Sequence, residues 1–141
     1  MLKGINWIAV VVAVVVSEVL GYVWYTYLFA ARWTAALGYT PDPARQGAMM
    51  GLGVITTLIA VVGLAWLIKK LGASSLNQAL GVALAAWVFF NFTTMAIEYL
   101  YLGHKAELVI INMGFQLVFY LVSAAVLAQM RPKAATGNGA V

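Results

Sequence analysis

Four stretches of more than twenty residues run through this chain with hardly a charge in them. Each is long enough to cross a bilayer core as a helix, which takes about 20 mostly apolar residues. They cover about residues 5–29, 47–68, 76–102 and 107–130. Backbone placed in lipid must satisfy its own hydrogen bonds, which leaves helices or a closed barrel, and runs of this length are helical. The valine-rich segment from Val10 to Val16 reads as strand in isolation, yet it sits inside a run too long and too uniform for one. The expected fold is therefore all-α: an integral membrane four-helix bundle, one transmembrane domain over residues 1–133, followed by a disordered tail at 134–141.

Composition agrees and excludes much else. Only 9% of the 141 residues are charged and 65% are hydrophobic, whereas a soluble domain carries roughly a quarter charged residues. Intrinsic disorder needs the opposite balance. The absence of cysteine removes disulfides and thiolate chemistry, and a single histidine removes paired-His zinc motifs, so neither a metal site nor a cofactor is expected. The net charge of +4 is spread over span ends, which gives no nucleic-acid footprint.

Local chemistry marks the boundaries. Asp42 followed by Pro43 is an N-cap with proline at the first helical position. Ser75 with Gln78 has the spacing of a capping box, and Gly103 suits a C-terminal cap. Arg131-Pro132 ends the last span. Ala30 to Leu37 continues helically as a short interfacial segment until Gly38 stops it. The first span is longer than the 7 to 15 apolar residues of a signal peptide and contains Glu18, so it is expected to be retained.

Orientation follows from basic residues near span ends. Lys3, Lys69, Lys70, Arg131 and Lys133 flank one side, and Arg32, Arg45 and Lys105 the other. The richer side is expected to be cytoplasmic, with both termini on it. Trp7 and Trp66 then mark the inner interface, and Trp33 and Tyr39 the outer one.

A charged residue within lipid costs at least about 2.5 to 3.5 kcal/mol on insertion scales for Asp, Lys or Arg, so each one asks for a function. Two carboxyls lie well inside spans, Glu18 and Glu98. On the third span Asn91, Thr94, Glu98, Tyr101 and Lys105 follow one another at steps of 3, 4, 3 and 4 residues, a single helical face. Asn112, Gln116, Tyr120 and Ser123 do the same on the fourth span, and Glu18, Gly21, Tyr22, Tyr25 and Arg32 share a face of the first. At 1.5 Å per residue, Glu18, Asn91 and Gln116 fall roughly 14 to 16 Å below the outer ends, and Tyr25, Glu98 and Asn112 roughly 5 to 8 Å below them. Turned inward, these stripes form a polar cleft open to the outer face, with Arg32, His104 and Lys105 at its mouth. The binding candidates are Tyr22, Trp24, Tyr25, Asn91, Thr94, Tyr101, Asn112 and Gln116, with Trp87 as a further wall. Glu18 and Glu98 are the catalytic candidates. Their surroundings differ, cations near Glu98 and none at the depth of Glu18, as acid/base pairs and proton-coupled sites require. The same amides and hydroxyls also serve as interhelical glue, worth about 0.6 to 2 kcal/mol per contact. Gly47, Gly51, Gly53 and Gly63 on the second span permit close helix approach, within the chain or to another copy.

The run Gly21-Tyr22-Val23-Trp24-Tyr25, with Leu28-Phe29, Arg32-Trp33 and Leu37-Gly38 after it and Asn6-Trp7 before it, resembles a family of small bacterial four-helix integral membrane proteins recorded as domain of unknown function 1761. The stretch from Glu98-Tyr99-Leu100 through Lys105, Asn112 and Gly114 to Gln116 is similar to that family's pattern too. The resemblance implies a fold and a bacterial inner-membrane location and transfers no activity. Glu18 stands where the family usually has an apolar residue. Separately, Ser17-Glu18-Val19-Leu20-Gly21 is similar to the first-helix motif of small multidrug-resistance transporters, in which an embedded Glu exchanges protons and drug cations.

Three functions compete on this reading. The first is binding or proton-coupled transport of a small apolar or cationic amphiphile in the outer cleft. Four spans are few for a pathway, so transport requires a homodimer. The second is a structural or partner-binding membrane subunit. The third is a membrane enzyme of isomerase or cyclase type with Glu18 and Glu98 as acid and base. The partners expected are membrane lipid and a small lipophilic ligand.

Overall fold

The computed structural model describes residues 2–131, so the tail expected at 134–141 lies outside the described residues. Asn6 starts the first helix: its side-chain oxygen accepts the backbone N–H groups of Ile8 and Ala9 at 3.1 and 3.3 Å, which otherwise have no partner at a helix start. Helix α1 (Trp7–Val23) runs into a π-helical turn (Trp24–Leu28), and the chain bends at Phe29 before the short helix α2 (Ala30–Leu37). Helix α3 (Pro43–Lys70) is capped by Asp42, which accepts Ala44 N–H at 3.0 Å. Helix α4 (Leu76–Ala86) opens on the full Ser75/Gln78 capping box, passes through a second π-helical turn (Trp87–Phe92) and continues as α5 (Thr93–Leu102). Gly103 ends it at φ +67°, a left-handed position where a side chain is strained, and α6 (Ala106–Gln129) follows.

Four helical runs are thus long and apolar enough to cross a membrane: Trp7–Leu28, Pro43–Lys70, Leu76–Leu102 and Ala106–Gln129. They alternate in direction, so one end of the bundle holds the start of α1 and the end of α6, the proximal end. The other, distal end holds α2 and the turn between α5 and α6. Helix α6 packs on α1 and on α4, while α3 also packs on both, so the first and third spans occupy opposite corners. The outward surface is apolar, with Leu100, Ile110 and Phe90 at 79%, 71% and 69% exposure. Such a surface is untenable in water and ordinary in lipid. The protein is an all-helical integral membrane bundle.

Small residues let the helices approach closely. Ala9, Ala13, Ala79, Ala83 and Ala124 are buried, and Val61, Leu64, Ile68, Phe119 and Leu127 fill the space between them. Most of this core lies toward the proximal half. Ser17 and Ser123 meet there as a buried hydroxyl pair at 3.1 Å. Helix α3 has no buried residue before Val61. A side chain at Gly47, Gly51, Gly53 or Gly63 would meet nothing within 4 Å, so these glycines do not serve packing inside the chain.

The π-helical turns explain which faces point inward. Ala79, Ala83, Trp87, Asn91, Met95 and Tyr99 are all buried or half-buried and are spaced every four residues. So are Ala9, Ala13, Ser17, Gly21, Tyr25, Phe29 and Trp33. In a pure α-helix each step of four overshoots a full turn by about 40°. A wider π turn absorbs the accumulated excess and keeps one line of residues facing the bundle.

Candidate functional site

Asn112, on the second turn of α6, is the polar centre of the distal end. Its Oδ1 accepts the Tyr25 hydroxyl at 3.1 Å and the Trp33 indole N–H at 3.2 Å, and its Nδ2 donates to the Tyr99 hydroxyl at 2.7 Å. An indole nitrogen only donates, so the orientation of the amide is settled and Tyr99 must accept. One side chain therefore ties together the first span, α2, the third span and the fourth. Tyr25 also stacks edge-on to Trp33, with ring centroids 5.3 Å apart, and Tyr99 stands against His104 at 5.0 Å.

Two further ties hold α2 in place. Arg32 Nε pairs with Glu107 Oε1 at 2.6 Å, the one ion pair among the described residues. Lys105 donates from Nζ to the carbonyl of Ala35 at 3.1 Å. Beneath the ion pair lies a cavity of about 360 Å³ lined by Trp24, Phe29, Arg32, Glu107, Ile110, Ile111 and Gly114. Gly114 matters for its size: a Cβ there would sit 3.5 Å from Trp24 Cζ2, so a larger side chain would enter the cavity. The Trp24 indole N–H is buried and has no partner among the described residues.

The structure gathers part of the expected site. Tyr25 and Asn112 meet, and Trp24 walls the cavity. Gln116 is half-buried one turn below Asn112. Asn91 is half-buried on the second π turn, where its Oδ1 and the Trp87 N–H are buried without partners among the described residues. Thr94 is exposed and bonds back to the carbonyl of Phe90 at 2.7 Å. Tyr22, Glu98 and Tyr101 are exposed, and Glu18 is half-buried on α1, at the corner opposite the third span. The stripe from Thr94 to Tyr101 thus faces outward because the π turn before it shifts the phase, and Tyr99 takes the inward place beside Glu98. Sequence reasoning missed Tyr99, Trp33 and Glu107 as members of the site. The four-residue spacing ending in Tyr99 and in Trp33 was the available signal.

The orphaned Asn91 oxygen has a measurable consequence. A buried acceptor without a partner costs about 1 to 3 kcal/mol, and leucine has the same branched skeleton of four side-chain heavy atoms without the polar groups. Asn91→Leu is expected to leave detergent stability unchanged or raise it by about 1 kcal/mol, read by denaturant unfolding in mixed micelles. A clear loss would mean that Asn91 is bonded in the membrane.

A family model described as "Protein of unknown function (DUF1761)" matches residues 8–128. No curated protein and no solved structure matches the chain.

Proposed function

We propose that this chain, which belongs to the DUF1761 family, is a membrane-embedded binding protein for a small, largely apolar molecule that carries a hydrogen-bond acceptor. The observation that carries this reading is the buried indole N–H of Trp24, without a partner among the described residues, on a ring that lines the distal cavity. A cavity of about 360 Å³ is within the usual range for small-ligand sites. Its walls are aromatic and aliphatic, and the Trp24 ring carries an unused donor beside them, a combination that can orient a neutral ligand inside an apolar pocket. Proton-coupled transport and acid/base catalysis both call for a free carboxyl at the ligand. The cavity's carboxylate is Glu107, already engaged by Arg32, and neither Glu18 nor Glu98 lines it. Binding is therefore favoured over either. On this reading both termini face the cytoplasm of a bacterial cell and the cavity opens toward the outer leaflet, so the ligand enters from lipid past the Arg32–Glu107 pair.

The test is a titration of the full-length protein in detergent with 2-nonanone and, in parallel, with nonane, followed through the ¹⁵N-labelled indole resonances. The Trp24 signal is identified by its loss in Trp24→Phe. The ketone is expected to move it and the alkane to leave it in place. Gly114→Leu, which fills the cavity, is expected to weaken the ketone response by about tenfold or more. An equal response to both probes, or a ketone response untouched by Gly114→Leu, sinks the reading.

A further inference from the structure

A second cavity, of about 680 Å³, lies at the proximal end between the start of α1, the end of α3 and the end of α6. Its walls include Ile5, Ala9 and Leu127, and its polar lining includes Lys69 and Arg131. Arg131 donates from one terminal nitrogen to the carbonyl of Ala73, closing α6 onto the turn after α3. Its other terminal nitrogen is buried and has no partner among the described residues. Lys69 reaches across to the carbonyl of Lys3. No acidic side chain answers these charges: Asp42 and Glu107 are at the distal end, and Glu18 and Glu98 lie within spans. A buried guanidinium N–H that lacks an anionic partner is costly. Arginine's fork fits a phosphate, and basic pockets between membrane helices take phospholipid headgroups.

We propose that this proximal cavity binds a phosphate-bearing anion through Arg131 and Lys69. The phosphate belongs either to a lipid headgroup, whose glycerol and acyl carbons the apolar walls would accept, or to free inorganic phosphate. This site lies at the opposite end of the bundle from the aromatic cavity and does not depend on its role.

The test uses the purified full-length protein in neutral detergent, with phosphatidylglycerol, phosphatidylcholine and inorganic phosphate as probes. Native mass spectrometry is expected to show phosphatidylglycerol retained over phosphatidylcholine by about tenfold or more, the factor for one charge-assisted hydrogen bond. Arg131→Gln and Lys69→Gln should each bring the two lipids level, whereas Lys70→Gln, whose side chain does not line the cavity, should not. A phosphate-dependent rise in melting temperature that Lys69→Gln abolishes, without any lipid preference, assigns the site to free phosphate. Arg131→Gln also removes the Ala73 contact; if it fails to fold, Lys69→Gln decides alone. The proposal is overturned if the wild type shows neither lipid preference nor phosphate response. It is equally overturned if Lys69→Gln changes nothing, or if Lys70→Gln acts as strongly as Lys69→Gln.

Discussion

Asn112→Ala is expected to destabilise the protein by about 2 to 5 kcal/mol, the range for three interhelical hydrogen bonds at the values measured within membrane bundles. The loss would be read from denaturant unfolding in mixed micelles. Two features place it among the largest effects available in the chain. The substitution strands the Tyr25 hydroxyl and the Trp33 indole N–H as donors and frees Tyr99 as well, all at part-buried positions between helices. It also uncouples four segments at once, because no other side chain among the described residues bonds to the first span, α2 and the third span together. Trp33→Phe removes one of the three bonds and keeps the ring, so the pair forms a double-mutant cycle. A coupling of about 0.5 kcal/mol or more between Asn112→Ala and Trp33→Phe is expected. An Asn112→Ala loss under about 0.5 kcal/mol, the level of an uninvolved surface change, would show that the amide is incidental.

The spans and their caps were readable from residues alone because their causes are local. Apolar length decides where a helix must cross, and Asp42, Ser75 with Gln78, and Gly103 each act within a few residues of where they stand. The site was readable only in part. Tyr25 and Asn112 could be placed at one depth by counting, and they bond. Counting failed on rotation. A stripe drawn through Asn91, Thr94, Glu98 and Tyr101 assumes 3.6 residues per turn throughout, and one wider turn shifts everything beyond it by up to about 100°, one residue's worth of rotation. That shift exchanges Glu98 for Tyr99. The Arg32–Glu107 pair was out of reach for another reason. It joins residues 75 positions apart and depends on the bend at Phe29, where φ is −123° and ψ is 7°. No local pattern encodes that bend. Both π turns are rich in aromatic residues, Trp24-Tyr25-Thr26-Tyr27-Leu28 and Trp87-Val88-Phe89-Phe90-Asn91-Phe92, and together they contain the buried Trp24, Trp87 and Asn91 groups that have no partner among the described residues. Insertions of this kind concentrate at functional sites, and here the first of them supplies the wall of the cavity.

Deleting Thr26 tests that connection directly. Thr26 is exposed within the first π turn, so Thr26→Ala should change stability by less than about 0.5 kcal/mol. Its deletion is a different perturbation. With one residue fewer, the turn closes to α-helical width, and Phe29, Arg32 and Trp33 rotate by about 100° relative to Trp24 and retreat by about 1.5 Å. Trp33 then no longer reaches Asn112, Arg32 leaves Glu107, and the cavity loses Phe29 from its wall. A destabilisation of at least about 2 kcal/mol is expected from the stranded Trp33 and Asn112 groups and the lost aromatic packing. The 2-nonanone response at the Trp24 indole should vanish with it, because the ligand site is assembled from both sides of the π turn. Compensation is the alternative: the bulge migrates one residue along the span, stability stays within about 0.5 kcal/mol of wild type, and the ketone still binds. That outcome would show that the turn relieves packing strain without building the site. Loss of the ketone response with stability preserved would separate the two roles the other way, leaving the π turn as part of the binding wall while α2 remains docked through its contacts with α6.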